Sequence, residues 1–515
     1  EKHCAIFGFA SGYHVEELLS HSVKSLSVIE PRADVFLNVL NTRDLSGLIP
    51  KLHRLTVEST EFDFSDDPEL FVRPQTQAAC AENYAAVCAK YYGERGTQLL
   101  KPKIAVLGPL QGGTLPIAGY VTKALFEREQ RVRPMNVSDF AKGFHALDGF
   151  VQDDVRKSIV RGNYTEMVSQ LILESIDEKP IDILFCMAQA PISGRILEEV
   201  RKRGIITVLW FTEDYLRFRY WEPMAQFYDF VFTIQKGGCI EAIKGAGAGE
   251  VHYLPVGCDP HVHAPIEMSE EEKARWGSPI SFVGAGYHNR RQLFASLSDM
   301  PFKIWGTEWP ECRPFDSMVQ EEGRRLKPEE YIKIFNSTTV NINLHSSTER
   351  DGVDPYGDFL NPRTFELAAA GAFQLVDDRE YLGESFEKGK EVITFSDAND
   401  LKQKIAYYLE KPEERRQVVE AARARALTEH TYYNRMKDML SIIYSSKFDY
   451  LKRRLDSSPW NKMLKRAEGH PELYDRCQKA FQRGEEPALD GLVSDIVTGE
   501  GKLSETEKKL LFLFH

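Results

Sequence analysis

The sequence predicts an α/β protein: two Rossmann-like domains in tandem facing a cleft, an N-terminal partial Rossmann-like domain before them and a helical tail behind. Two observations predict it. One theme recurs along the chain, a short β-branched or apolar run, then a glycine-bearing turn, then a helical stretch, which is the pattern of parallel strands joined by crossover helices. In addition, 515 residues exceed what one hydrophobic core organises, so the theme has to be divided among several domains.

The first block, residues 1–100, has a strand at Ala5-Ile6-Phe7-Gly8, a helix over 15–19, a strand ending at Glu30 and a later helix over 78–92. That is roughly half a Rossmann domain. The next domain, 101–266, opens with the strand Ile104-Ala105-Val106-Leu107-Gly108 and continues through strands at 182–186, 207–211 and 230–234 to the turn Pro255-Val256-Gly257-Cys258-Asp259. A third, 267–445, begins with a polar linker over 267–279. It has strands at 280–284, 302–306, 340–344 and 373–377, and its helical stretch over 400–444 should cross back to the preceding domain. A charged helical tail, 446–515, completes the chain. No solenoid repeat is present. Two α/β domains in tandem place a cleft between the carboxyl ends of their sheets, where ligands bind in open α/β folds.

Composition narrows the classes. With 42% hydrophobic and 28% charged residues, and no run of about 18 apolar residues, the chain reads as a soluble or peripheral globular protein. A net charge of -12 argues against binding along a nucleic-acid backbone. The eight cysteines (4, 80, 88, 186, 239, 258, 312 and 477) form no Cys-x-x-Cys pair, so reduced thiols in a cytosol fit best. Lys2-His3-Cys4-Ala5-Ile6-Phe7 reads as a strand rather than a signal segment.

The most informative stretch runs from 342 to 377. After the strand come His345-Ser346-Ser347, an acidic glycine-bearing loop from Asp351 to Asp358, and a helix opening at Asn361-Pro362. Asparagine is a good N-cap and proline suits the first turn, so the N–H groups of Arg363 and Thr364 should face the loop and receive phosphate. Arg363 adds a permanent cation for paired hydrogen bonds to a pyrophosphate, and Glu366 on the first turn can accept both hydroxyls of a ribose. Ala368-Ala369-Ala370-Gly371 keeps the helix slim against the sheet. A nucleoside diphosphate fits this arrangement. A solvated Glu366 in an ordinary ion pair with Arg363 is the plainer alternative.

Three stretches in this order carry a resemblance: Phe282-Val-Gly-Ala-Gly-Tyr-His-Asn-Arg-Arg291, Asn361-Pro-Arg-Thr-Phe-Glu-Leu-Ala-Ala-Ala-Gly371 with Gln374-Leu-Val-Asp377, and Glu429-His-Thr-Tyr-Tyr-Asn-Arg435. On them, residues about 103–443 resemble the CgeB-like (spore maturation protein B) glycosyltransferases, relatives of the group 1 enzymes. The resemblance implies the GT-B architecture and transfer of a sugar from a UDP- or GDP-sugar, with no bound cofactor and no metal. In the group, two glutamates separated by seven residues serve the donor sugar and the ribose. Glu366 matches the second, whereas Asp358 stands at the first with a reach shorter by one methylene. Of the basic pair that neutralises the diphosphate, Arg290 or Arg291 matches one member; the usual lysine is absent and Arg363 can substitute. Gly284, Asn289, His345 and Thr364 join the expected donor-binding residues. Gly284 and Gly286 serve equally as a tight strand-to-helix turn.

On the acceptor side, Gly112 and Gly113 follow the strand 104–108 and open a helix, as a phosphate or acceptor loop does and as a plain turn does. Thr212-Glu213-Asp214-Tyr215 follows a strand at the carboxyl edge of its sheet, and Asp214 is the expected general base for an inverting transfer; His145 is another candidate. The aromatic run 215–221, interleaved with Arg217 and Arg219, suits stacking on a sugar or packing between domains.

Gly8-Phe9-Ala10-Ser11-Gly12, followed by Glu30 about twenty residues on, is similar to a nucleotide or S-adenosylmethionine loop, and the block also resembles the region preceding the catalytic domain in motility accessory factor glycosyltransferases. Two other functions follow from these features: a methyltransferase acting through 1–100, or a non-catalytic nucleotide- or glycan-binding scaffold. The basic stretch 447–466, with Leu451, Leu455, Trp460, Met463 and Leu464, reads as a contact for anionic lipid at the inner face of a membrane or an acidic partner, or as a helical cap on its own chain. The acceptor, whether glycan, protein or small molecule, is left open.

Overall fold

The computed structural model describes residues 2–514 except 60, 61, 63, 65, 67, 348, 349, 483–487, 499 and 500. The chain divides into two compact units, residues 1–102 together with 438–515, and residues 103–437.

In the first unit, β1 (Lys2–Phe7), β2 (Val23–Glu30), β3 (Arg54–Val57) and β4 (Glu69–Val72) form a parallel sheet in the order β3-β2-β1-β4. Residues 438–515 complete this unit rather than standing apart. Helix Ala81–Leu99 carries Gly93 and Gly96 one turn apart, and a Cβ would lie 2.2 Å from Ser441 Oγ at the first and 2.4 Å from Tyr444 Cβ at the second. Only a bare backbone permits that approach of helix to helix. The stretch 447–466 lies in helices Tyr432–Asp456 and Pro459–Ala467, where Leu451, Leu455 and Trp460 are buried. Trp460 sits in a core with Cys477, Leu492, Val493, Ile496 and Leu510. Of the apolar side chains expected to reach a lipid surface, these three are spent on the chain's own packing, while Met463 and Leu464 are half-buried against the same core.

The second unit holds two parallel sheets. The strands β5 (Lys103–Leu107), β6 (Arg131–Met135), β7 (Ile183–Met187), β8 (Ile206–Phe211), β9 (Phe230–Thr233) and β10 (Glu250–Tyr253) lie in the order β10-β9-β8-β7-β5-β6. The strands β11 (Ser278–Val283), β12 (Phe302–Trp305), β13 (Thr338–Asn343), β14 (Gln374–Asp377) and β15 (Ile393–Phe395) lie in the order β12-β11-β13-β14-β15. Each sheet is the core of a Rossmann-like domain, as the sequence predicts. β5, β7, β8 and β9 are buried along nearly their whole length, as strands covered by helices on both faces must be. In each sheet the first strand lies between the second and third, so the winding reverses between β5 and β7 and between β11 and β13, and a crevice opens beyond their carboxyl ends.

The chain joins these domains twice. Residues 257–263 lead forward, and the expected return crossing is formed by 430–435: Cys258 N–H donates to His430 O (2.9 Å) and Tyr432 N–H to Cys258 O (2.9 Å). Arg435 fastens the return, donating from Nε to Val256 O (3.2 Å) and from Nη2 to His430 Nδ1 (2.9 Å). The Glu429-to-Arg435 motif is thus the joint.

Candidate functional site

At the reversal between β11 and β13, β11 ends in Gly284-Ala285-Gly286-Tyr287 and the helix His288–Ala295 follows. The glycines are required by packing. A Cβ on Gly284 would come within 2.8 Å of Phe282, and one on Gly286 within 2.6 Å of Glu308 O. Arg290, buried, donates to Leu344 O and Ala285 O at 2.9 Å each. Arg291 turns away, donating to Glu308 O.

The helix Pro362–Ala369 starts as the sequence predicts, with Asn361 as N-cap and Pro362 in the first turn. The Asn361 side chain accepts from Thr364 N–H at 3.0 Å, so that N–H, expected to face a phosphate, is already capped. The Thr364 hydroxyl is likewise taken, accepting from Asn343 Nδ2 at 3.0 Å. Asn289 is fully buried and donates to His345 O (2.9 Å) and Gly352 O (3.0 Å). His345 is fully buried with Nδ1 2.6 Å from Asp377. Three residues expected to touch a donor, Asn289, His345 and Thr364, therefore lie behind the site and brace it. The reason is local: β13 and β14 place Asn341, Asn343, Gln374 and Asp377 in the interior, and buried polar groups need partners.

Arg363 and Glu366 face one another, Arg363 Nη1 donating to Glu366 Oε2 at 2.6 Å. Glu366 is also buried, with His263 Nε2 3.6 Å from its other oxygen. Because Asp259 N–H donates to His263 Nδ1 (3.0 Å), the imidazole proton sits on Nε2, directed at the Tyr331 hydroxyl oxygen and Glu366. Tyr331 joins Tyr120 by hydroxyl contact at 3.2 Å. The carboxylate meant for a ribose is thus held beside the joint between the domains.

Asp358 points across the cleft, accepting from Gln235 Nε2 at 2.7 Å; Gln235 in turn accepts from Tyr215 N–H at 2.9 Å. One glutamine therefore links the two expected acidic residues, because Tyr215 adjoins Asp214. Burial pushes the Asp358 carboxyl above the usual carboxylate range, Gln235 and Arg379 oppose, and the charge of Asp214 adds to the rise. Asp214 itself accepts from Leu216 N–H at 3.0 Å, closing the turn after β8.

Beyond β5, Gly112 takes φ 106°, a left-handed conformation suited to glycine, and Gly113 fronts open space. Gln111 contacts His145. Glu213 accepts from the Tyr220 hydroxyl at 2.8 Å and from the amide of Gln189, and burial pushes its carboxyl up against those donors and the Arg217 charge. Gln189 stands at φ 62°, strain that a non-glycine residue keeps only where its surroundings enforce it. Sequence reasoning did not single out Gln189 or Gln235; a glutamine just past a buried parallel strand was the available signal.

In the first unit, Glu30 is buried and its Oε2 accepts from Phe9 N–H (2.8 Å) and Ala10 N–H (3.2 Å), while Oε1 accepts from Arg32 N–H (3.1 Å). The acid expected to hold a ribose instead closes the glycine loop on itself.

Residues 290–441 match the family described as Glycosyl transferase-like, and residues 2–92 match the Glycosyltransferase Maf N-terminal domain. The spore protein CgeB of Bacillus subtilis (strain 168) is 25% identical over 232 residues, 43% of this chain and 70% of CgeB. Among solved structures, HepE of Anabaena in complex with UDP and glucose shares 12% identity over 66% of this chain and 99% of its own, with a TM-score of 0.45. Sucrose-phosphate synthase from Thermosynechococcus elongatus shares 12% over 69% and 99%, with a TM-score of 0.46. With a glycosyl transferase-like region over 290–441 and a Maf-type region over 2–92, this chain is similar to the CgeB-like glycosyltransferases of group 1.

Proposed function

We propose that the protein transfers a sugar from a nucleoside diphosphate sugar of the UDP or GDP type to a hydroxyl-bearing acceptor, with arginines and a helix start in place of a metal offsetting the charge of the leaving diphosphate. The observation that carries the reading is the setting of Arg290. Its guanidinium is enclosed at the carboxyl end of β11, and Arg217 and Arg363 are near enough for their charges to repel its own. A cation cluster beside a helix start is a receptor for a polyanion.

In the reaction the acceptor oxygen forms a bond to the anomeric carbon as the bond from that carbon to the diphosphate breaks. Arg290, Arg363 and the N–H that Arg363 offers at the start of Pro362–Ala369 offset the charge of the diphosphate, Glu366 holds the ribose after exchanging its Arg363 contact, and Asp358 faces the sugar. For transfer with inversion Asp214 takes the acceptor's proton; with retention no protein base is needed there.

Calorimetry of the full chain with UDP and GDP tests the reading. Binding of at least one, weakened about tenfold or more in Glu366→Ala, is the expected result. Failure to bind either, or Glu366→Ala binding as wild type does, would sink it. Hydrolysis of a panel of UDP- and GDP-sugars separates an enzyme from a scaffold, since a scaffold binds without turnover.

A further inference from the structure

Tyr287, the N-cap of helix His288–Ala295, carries two guanidinium groups on one ring. Arg290 lies over it with Cζ 4.8 Å from the centroid, from the donor-side domain. Arg217, from the turn after β8 in the other domain, lies over it at 3.7 Å. Each stack is attractive, because the face of the ring is negative, but the two cations repel one another.

Neither cation is neutralised. Arg290 spends Nε and Nη1 on the carbonyls of Leu344 and Ala285, and among the described residues its Nη2 has no hydrogen-bond partner. Burial, then the charges of Arg217 and Arg363, lower its pKa to about 10, against the opposing pull of Tyr287 and Asp377. Arg217 makes no hydrogen bond or ion pair among the described residues. The carboxylate whose field reaches it, Glu213, is engaged by Tyr220 and Gln189. Two domains thus bring to one ring two arginines that have no ion pair among the described residues, and a bound anion would offset the repulsion between them.

We propose that Arg217 is the acceptor-side half of a clamp on the donor's diphosphate, with Tyr287 as the platform it shares with Arg290. Arg290 and Arg363, both on the donor-side domain, suit the phosphate nearer the nucleoside. Arg217 comes from across the cleft and supplies the charge for the second phosphate, so that a diphosphate ties the two domains together and a monophosphate does not. The inference rests on the sugar-transfer reading above and goes beyond it, because the residue lies outside the donor-side domain.

The test is calorimetry on the full chain with UDP, UMP, GDP and GMP, comparing wild type with R217Q, R217K and Y287L. In R217Q the diphosphate should bind about ten to a hundred times more weakly, and the monophosphate within about twofold of wild type. Y287L should lose part of the same preference, because the ring that orients Arg217 is gone. R217K keeps the charge without the flat stacking face, and should fall between wild type and R217Q; it replaces R217Q as the deciding variant if R217Q loses its cooperative thermal transition. An unchanged preference for diphosphate over monophosphate in the deciding variant overturns the clamp and leaves the functional reading standing. Wild type that binds neither UDP nor GDP removes both.

Discussion

Lowering the pH from 7 to 5 should weaken the unit 103–437, because three of its histidines, His263, His345 and His430, are held neutral by burial. His345 is enclosed against Asp377, and burial, outweighing that carboxylate, pulls its pKa down from 6.5 to about 4. His430 is pulled to about 4 by burial and then by Arg435, whose Nη2 donates to the nitrogen a proton would need. In the unfolded chain both titrate at their ordinary value. The folded value lies below the unfolded one, so as pH falls past 6.5 the unfolded chain takes up protons that the folded chain refuses. Stability is therefore full above that pH, is lost as pH falls toward 4, and the loss stops growing below it. Linkage gives about 2 kcal/mol for each of His345 and His430 at pH 5 and about 4 kcal/mol for the two together. Urea unfolding followed by tryptophan fluorescence at pH 7, 6 and 5 measures it, with His430→Gln as a variant that lacks one titrating group. That variant should begin less stable at pH 7 yet lose about 2 kcal/mol less than wild type on acidification. Wild-type stability that is level between pH 7 and 5, or an equal acid loss in His430→Gln, would refute the reasoning.

Two further substitutions probe other parts of the chain. Gly257→Ala would put a Cβ 2.5 Å from His430 O and 3.2 Å from Thr431 C, both backbone atoms of the return crossing; a loss of about 1–3 kcal/mol is expected in the same unfolding assay. Glu30→Ala orphans the N–H groups of Phe9 and Ala10, and should cost about 1–3 kcal/mol while leaving nucleotide binding in calorimetry unchanged. A wild-type chain that binds S-adenosylmethionine, and loses it in Glu30→Ala, would contradict the closed loop described for that residue.

The parallel α/β character of the sheets was legible because β-branched and apolar runs alternate with helical stretches, but neither the order of the strands nor β6, β10 and β15 was. Asn361 as N-cap and Pro362 in the first turn were legible because capping chemistry is local. The roles of Asn289, His345 and Thr364 were not. Their side chains read as binding groups until Asn341, Asn343, Gln374 and Asp377 are seen as interior strand residues in need of partners, and that need arises from register across β13 and β14. Nor was the tail's place legible. Gly93 and Gly96 are the local sign of a close helix contact, but which helix comes near, the one through Ser441 and Tyr444, is a long-range fact. Arg217 was visible among aromatic residues, and only the fold reveals that the ring beneath it is Tyr287 in the other domain.

The joint between the two sheets of the larger unit bears on how the cleft works. A door hung on two pins swings about the line through them and resists every other motion. Here the forward and return passages of the chain are themselves bonded together at Cys258, His430 and Tyr432, so the two pins share one short line. Rotation about that line keeps the backbone pairing and parts only side-chain contacts such as Gln235 to Asp358, whereas sliding or twisting of one sheet against the other would break the pairing itself. On the sugar-transfer reading proposed above, substrate entry and product release are then one swing, and a mutation at the joint alters both together.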